Sequence, residues 1–166
     1  MRHDELALMI RPARPEDESF IKNAWLKSLA ESMCGPHRDK ITGVPDDLKY
    51  AGIIRRIHAE RYYDKQEALI EILSGIRKLR IACDPTMEEF IYGFACGDRI
   101  KDELVMDYVY VKKTYRRMGI ARYIMEKGFD WTNETIVATH WTFALNPVAV
   151  RNRIWFDDYY VKLGAV

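Results

Sequence analysis

The sequence predicts one α/β domain built on a mixed sheet, and three observations carry that prediction. Three strand-like runs, 78–84, 90–97 and 103–111, precede a single helix, an order a regular doubly wound sheet does not have. Ahead of them, apolar residues at 20, 21, 24, 25, 29 and 33 recur at helical spacing. The third strand run then passes into a helical run through Arg116-Arg117-Met118-Gly119-Ile120-Ala121.

In chain order, residues 6–11 read as a first strand, stopped by Pro12 and Pro15. Glu16 and Asp17 lead into a helix over 20–33, acids suited to its positive end. Residues 34–47 hold two glycines and two prolines and read as a loop. Asp46 or Asp47 caps a second helix running to about Tyr63, and a third helical stretch, 66–76, ends near Gly75. The turn around Asp84-Pro85 makes 78–97 a hairpin. After the strand 103–111 come a helix over roughly 118–131 and a strand over 134–145. Asn146-Pro147 opens a short helix, and the aromatic tail supplies a helix end and a last strand. A length of 166 residues without repeat or linker is one domain, 1–166.

Composition narrows the function. Hydrophobic residues are 48% and charged residues 31%, with a net charge of +1, so nothing draws the chain toward nucleic acid or an anionic membrane. No apolar run spans a bilayer and the N-terminus does not read as a signal peptide, so a cytoplasmic location is expected. Cys34, Cys83 and Cys96 form no metal-binding spacing; no metal is expected, and Cys83 and Cys96 read as small core residues.

The strand-to-helix turn carries the chemistry. The first amides of a helix lack intrahelical acceptors and meet the positive end of the dipole. Gly119 lets a ligand approach the main chain, Ala121 keeps the next turn small, and Arg116 and Arg117 add charge. These features point to a phosphate or pyrophosphate. Neither the three-glycine dinucleotide fingerprint nor a Walker loop is present.

The pattern Arg116-x-x-Gly119-x-Ala121 resembles the acyl-CoA signature of the GNAT N-acetyltransferase superfamily. The spacing from Val111 through Tyr115 to Arg116, the element order over nearly the whole chain, and the ending Tyr160-Val161-Lys162-Leu163-Gly164 are similar to the family as well. Lys113 stands where the family often has Pro and Arg117 where Gly is common. The resemblance implies a central twisted, mostly antiparallel sheet flanked by helices, and acetyl-CoA as the donor. It implies main-chain contacts to the pantetheine arm from Tyr108, Val109, Tyr110 and Val111, and pyrophosphate contacts from Arg116 to Ala121. The acetyl group would pass to a primary amine by direct attack, the acceptor being a small molecule or a protein, in a monomer or homodimer.

For catalysis, strict alternation puts Asp107 on one strand face with Val109 and Val111, as a general base, as a partly solvated carboxylate at the sheet edge, or as one paired with an arginine. His140 reads as a second base or as a hydrogen-bonded sheet residue. Asn146 binds CoA or caps a helix. Tyr160, or Tyr159, protonates the leaving thiolate in the family's manner, or packs. The basic run Arg55, Arg56, His58 and Arg61 reads as a draw for an acidic substrate or, with Glu60 and Asp64 interleaved, as a solvated face. The alternative is a non-catalytic GNAT-like structural or host-interaction protein of a phage or mobile element.

Overall fold

The computed structural model describes residues 6–33, 51–139 and 154–156; for 29–33, 51–63 and 155–156 it describes the backbone alone. Strands β1 (Met9–Pro12), β2 (Lys78–Cys83), β3 (Ile91–Ile100), β4 (Glu103–Val111), β5 (Ile136–Ala138) and β6 (Ile154–Phe156) form one sheet in sequence order. The first four are antiparallel neighbours, while β4–β5 and β5–β6 are parallel. The mixed sheet is therefore as the sequence predicts, with β2 and β3 in the expected hairpin.

Helices α1 (Glu18–Met33), α2 (Ala51–Ile76) and α3 (Ile120–Gly128) cover the two faces. Ile21 and Trp25 of α1 and Ile70 and Leu73 of α2 bury against Ile81, Phe94 and Cys96 on one face. Ile120 and Ile124 of α3, one helical turn apart, bury against Ala82, Ala95, Leu104 and Met106 on the other. Both faces of the sheet are thus apolar, so β2 and β3 read as near-continuous hydrophobic runs. Cys83 and Cys96 are free, buried thiols within this core.

Some boundaries differ from the sequence reading. The two helices expected over 47–63 and 66–76 join into α2, because Asp64 and Lys65 are compatible with a helix and lie exposed on it. Helix α3 starts at Ile120 because Gly119 before it is left-handed (φ 81°), and it ends at Gly128, after which Trp131 N–H folds back to Met125 O at 3.2 Å. Of the strand expected over 134–145, the described part is β5; the helix expected from Asn146 lies outside the described residues.

One buried ion pair ties β1 to its surroundings. Arg11 donates to both carboxylate oxygens of Asp17, at 2.6 and 3.0 Å, and to Glu88 O in the β2–β3 turn at 3.2 Å. The Arg11 hydrogen bond holds the Asp17 carboxyl below the usual range against its own burial.

Candidate active site

Strand β4 changes partner and phase at one place. Opposite it, Cys96 pairs with Tyr108 and Gly97 with Met106, so Asp107 is the extra residue of a bulge. Strict alternation fails there. Leu104 and Met106 lie on the α3 face together with Val109 and Val111, whereas Tyr108 and Tyr110 lie on the α1 face. This corrects the strict alternation expected along the strand from Asp107 to Val111: one inserted residue shifts the side-chain period of two. Gly97 makes the bulge possible, since a Cβ there would stand 2.5 Å from Val105 O and 2.7 Å from Met106 Sδ.

At the same point the described ladder between β4 and β5 ends. Their ladder covers Leu104 to Met106 against Ile136 to Ala138, and Thr139 N–H donates to Met106 O at 3.1 Å. Beyond it, Tyr108 to Val111 pair with β3 on one side and with no strand on the other, among the described residues. Among the described residues the β4–β5 ladder ends there while β4 runs on to Val111 beside β3; this junction is termed the fork.

Asp107 sits at the crotch of this fork, 2% exposed. Its Oδ2 accepts Arg77 Nε at 3.0 Å and its Oδ1 accepts the Thr139 hydroxyl at 3.0 Å. Arg77 follows α2 and Thr139 follows β5, so the carboxylate joins three elements. Burial pushes the Asp107 carboxyl up, while the Arg77 charge and the Thr139 hydrogen bond pull it down; the net direction is upward.

From the open end of the fork the chain runs through a 3-10 turn, Lys113–Tyr115, into α3. Tyr115 N–H bonds to Lys112 O and Tyr123 N–H to Gly119 O, both at 2.9 Å. Among the described residues, the amides of Arg117 to Ala121 donate no main-chain hydrogen bond. Arg117 (φ 66°) and Gly119 are both left-handed, which turns the chain sharply ahead of the helix. Arg116 and Arg117 are exposed, and Arg116 Nε donates to Val111 O at 3.1 Å, closing the turn on the end of β4. Met118 and Ile120 point into the α3-face core, so from these two the main chain alone faces outward. Five free amides beside two guanidinium groups at the end of β4 are the donors and charges that anion binding calls for.

A family model, Acetyltransferase (GNAT) family, matches residues 53–152, a stretch that includes the fork, the turn and α3. The chain belongs to the acetyltransferase (GNAT) family. No protein of curated function is matched by the sequence. Among solved structures, a Corynebacterium glutamicum protein described as histone acetyltransferase HPA2 and related acetyltransferase has 16% identity and a TM-score of 0.52, over 88% of this chain and 83% of that one. The PaiA N-acetyltransferase of Thermoplasma acidophilum, in complex with coenzyme A, has 17% identity and a TM-score of 0.40, over 74% and 70%. A glucosamine N-acetyltransferase region in a fungal multi-domain β-N-acetylglucosaminidase has 12% identity and a TM-score of 0.42; the chain covers 12% of that protein. The first of these likenesses extends the GNAT fold over most of the chain.

The GNAT residues expected from the sequence fall into two groups. Tyr108 to Val111 and Arg116 to Ala121 come together at the mouth of the fork, and Asp107 lies at its base. His140, Asn146, Tyr159 and Tyr160 lie outside the described residues. Sequence reasoning missed Arg77, Thr139 and Ser28. Arg77 and Thr139 bind Asp107, while Ser28 Oγ lies 2.7 Å from the Tyr108 hydroxyl. Gly97, the last residue of the apolar run 90–97, lies opposite the bulge that gathers them, and only the register shows it.

Proposed function

We infer that this GNAT acetyltransferase takes acetyl-CoA as donor and transfers the acetyl group to an amine. The observation that carries the reading is the end of β4 leading into a helix start with five undonated amides. An extended, amide-bearing arm would add to the free side of β4 as a strand would, through main-chain hydrogen bonds along Tyr108 to Val111. The pyrophosphate at the far end of that arm would meet the amides of Arg117 to Ala121 and the charges of Arg116 and Arg117.

The reaction then follows from the thioester. A neutral amine attacks the carbonyl carbon, a C–N bond forms, the C–S bond breaks, the nitrogen gives up one proton to solvent, and the thiolate takes a proton. Strand β4 serves this step by orienting the donor. Asp107 supports it as a positioning residue: both its oxygens are already engaged and it is almost wholly enclosed. We assign the proton for the thiolate to Tyr160, in the family's manner.

Calorimetric titration with CoA, acetyl-CoA and longer acyl-CoAs tests the donor. Binding stabilises the folded state by mass action, by about 2.7 kcal/mol when free ligand is a hundredfold above Kd, so a thermal shift accompanies it. Absence of binding by all of them rejects the reading.

A further inference from the structure

A second concavity opens on the α1 face, opposite α3. It is a cleft of about 410 Å³ between α1 and the end of β4. Phe20 and Tyr110 give it apolar walls, with their rings edge to face at 6.2 Å. Ser28 lines it too, and its hydroxyl meets that of Tyr108, the residue that follows Asp107 at the base of the fork. The cleft therefore reaches the fork from the side that a donor laid along β4 and the start of α3 leaves open.

Its charge is one-sided. Lys27 lines it from α1, and Lys113 and Arg116 line it from the turn. None of the three has a carboxylate partner among the described residues. Two acids on the described parts of α1 and α2 are taken elsewhere: Glu18 and Glu71 both bind Lys22, at 3.1 and 2.8 Å. The net charge of the whole chain is +1, so three such cations around one cleft are a local feature.

We propose that this cleft is the acceptor pocket and that it selects an amine whose far end carries an anionic group, a carboxylate or a phosphate. The proposal rests on the acetyl-transfer reading above. The apolar walls suit the carbon chain between the two ends, and cations on facing walls fix the anion, so the amine is presented toward the fork. Lys113 and Arg116 belong to the turn that also meets the donor. Lys27, across the cleft, is the residue that separates acceptor from donor recognition.

The test uses the full chain with acetyl-CoA and matched acceptors: a graded series of ω-amino carboxylates against their primary amides, and O-phosphoethanolamine against ethanolamine. Thiol release gives kcat/KM, and titration into the CoA complex gives binding. The anion-bearing member of at least one pair should be favoured by about tenfold or more, and spermidine should be a poor acceptor. Carboxylate and phosphate arms identify which anion is read. Lys27→Met should reduce that preference severalfold and leave CoA affinity unchanged; Lys27→Arg should restore it.

Equal kcat/KM within every pair, with transfer observed, overturns the proposal and leaves acetyl transfer standing. Anion binding that Lys27→Met abolishes, without any transfer, upholds the pocket and rejects the transfer reading. A Lys27→Met variant that loses CoA affinity instead assigns the cations to the donor's phosphates and overturns the proposal, as does the absence of both binding and transfer for every anionic probe.

Discussion

Asp107 Oδ2 and Arg77 Nε stand 3.0 Å apart where β4 gains a residue and its described ladder with β5 ends. This pair distinguishes a base from a brace. A base would be removed by Asp107→Asn with normal CoA binding, a loss of about 10²–10⁴ in rate, and a residual rate that climbs with pH. A brace predicts otherwise: a lower Tm, weaker CoA binding because the free side of β4 shifts, and an unchanged pH profile of the remaining activity. We expect the second set. Thermal denaturation, calorimetry and a pH–rate series on one variant decide between them.

The turn makes a sharper demand on Gly119. Its φ of 81° strains any side chain, and an aspartate adds negative charge beside five amide donors. Gly119→Asp, and separately Arg116→Glu, should each weaken CoA binding by about 1–3 kcal/mol, the scale of a charge-assisted hydrogen bond. Unchanged affinity in both, with native circular dichroism, rejects the site.

Tyr160 is tested by removing one oxygen. Tyr160→Phe should lower kcat and leave CoA affinity nearly intact if it protonates the thiolate. Steady-state rates equal to those of the parent protein would move that role to Tyr159 or to solvent.

Acid stability depends on Asp17. Its carboxyl is held below the unfolded value of about 3.9, so its contribution is complete above that pH and is lost as pH falls through the depressed folded value. Asp107 works in the opposite sense: its folded value is raised, so its contribution is present below the unfolded value and fades as pH rises through the folded one. Asp17→Asn should cost about 3–5 kcal/mol at neutral pH, as one partner of a buried pair, and should flatten the acid limb. Denaturant titrations across the acid range measure both effects.

Much of this architecture was legible in the sequence, because it rests on local signals. The strand-to-helix turn could be read from Gly119 and its two arginines, and the hairpin from Asp84-Pro85 between two β-rich runs. What escaped reading is non-local. The bulge at Asp107 depends on which β3 residue lies opposite, and Gly97 has meaning there only once the register is known. The Arg77 and Thr139 partners lie 30 and 32 residues away, with no spacing rule to announce them. The join of two predicted helices into α2 turned on Asp64 and Lys65, polar residues that a helix accepts as readily as a loop does.

The open side of β4 has a consequence for the protein without its donor. On the side of β4 away from β3, Val109 pairs with no strand among the described residues, and Arg116 Nε takes the next outward carbonyl, that of Val111. Such an edge is a template for another chain's strand, and proteins usually blunt it with charge, proline or a covering element. Along this stretch the side chains are aromatic and aliphatic, without a charged residue to act as gatekeeper. A bound donor arm would occupy the template, so the small molecule would act as a solubility factor as well as a reactant. Stripped protein should therefore self-associate on mild heating more readily than the CoA complex at equal concentration, and light scattering along a CoA titration should fall as the edge fills.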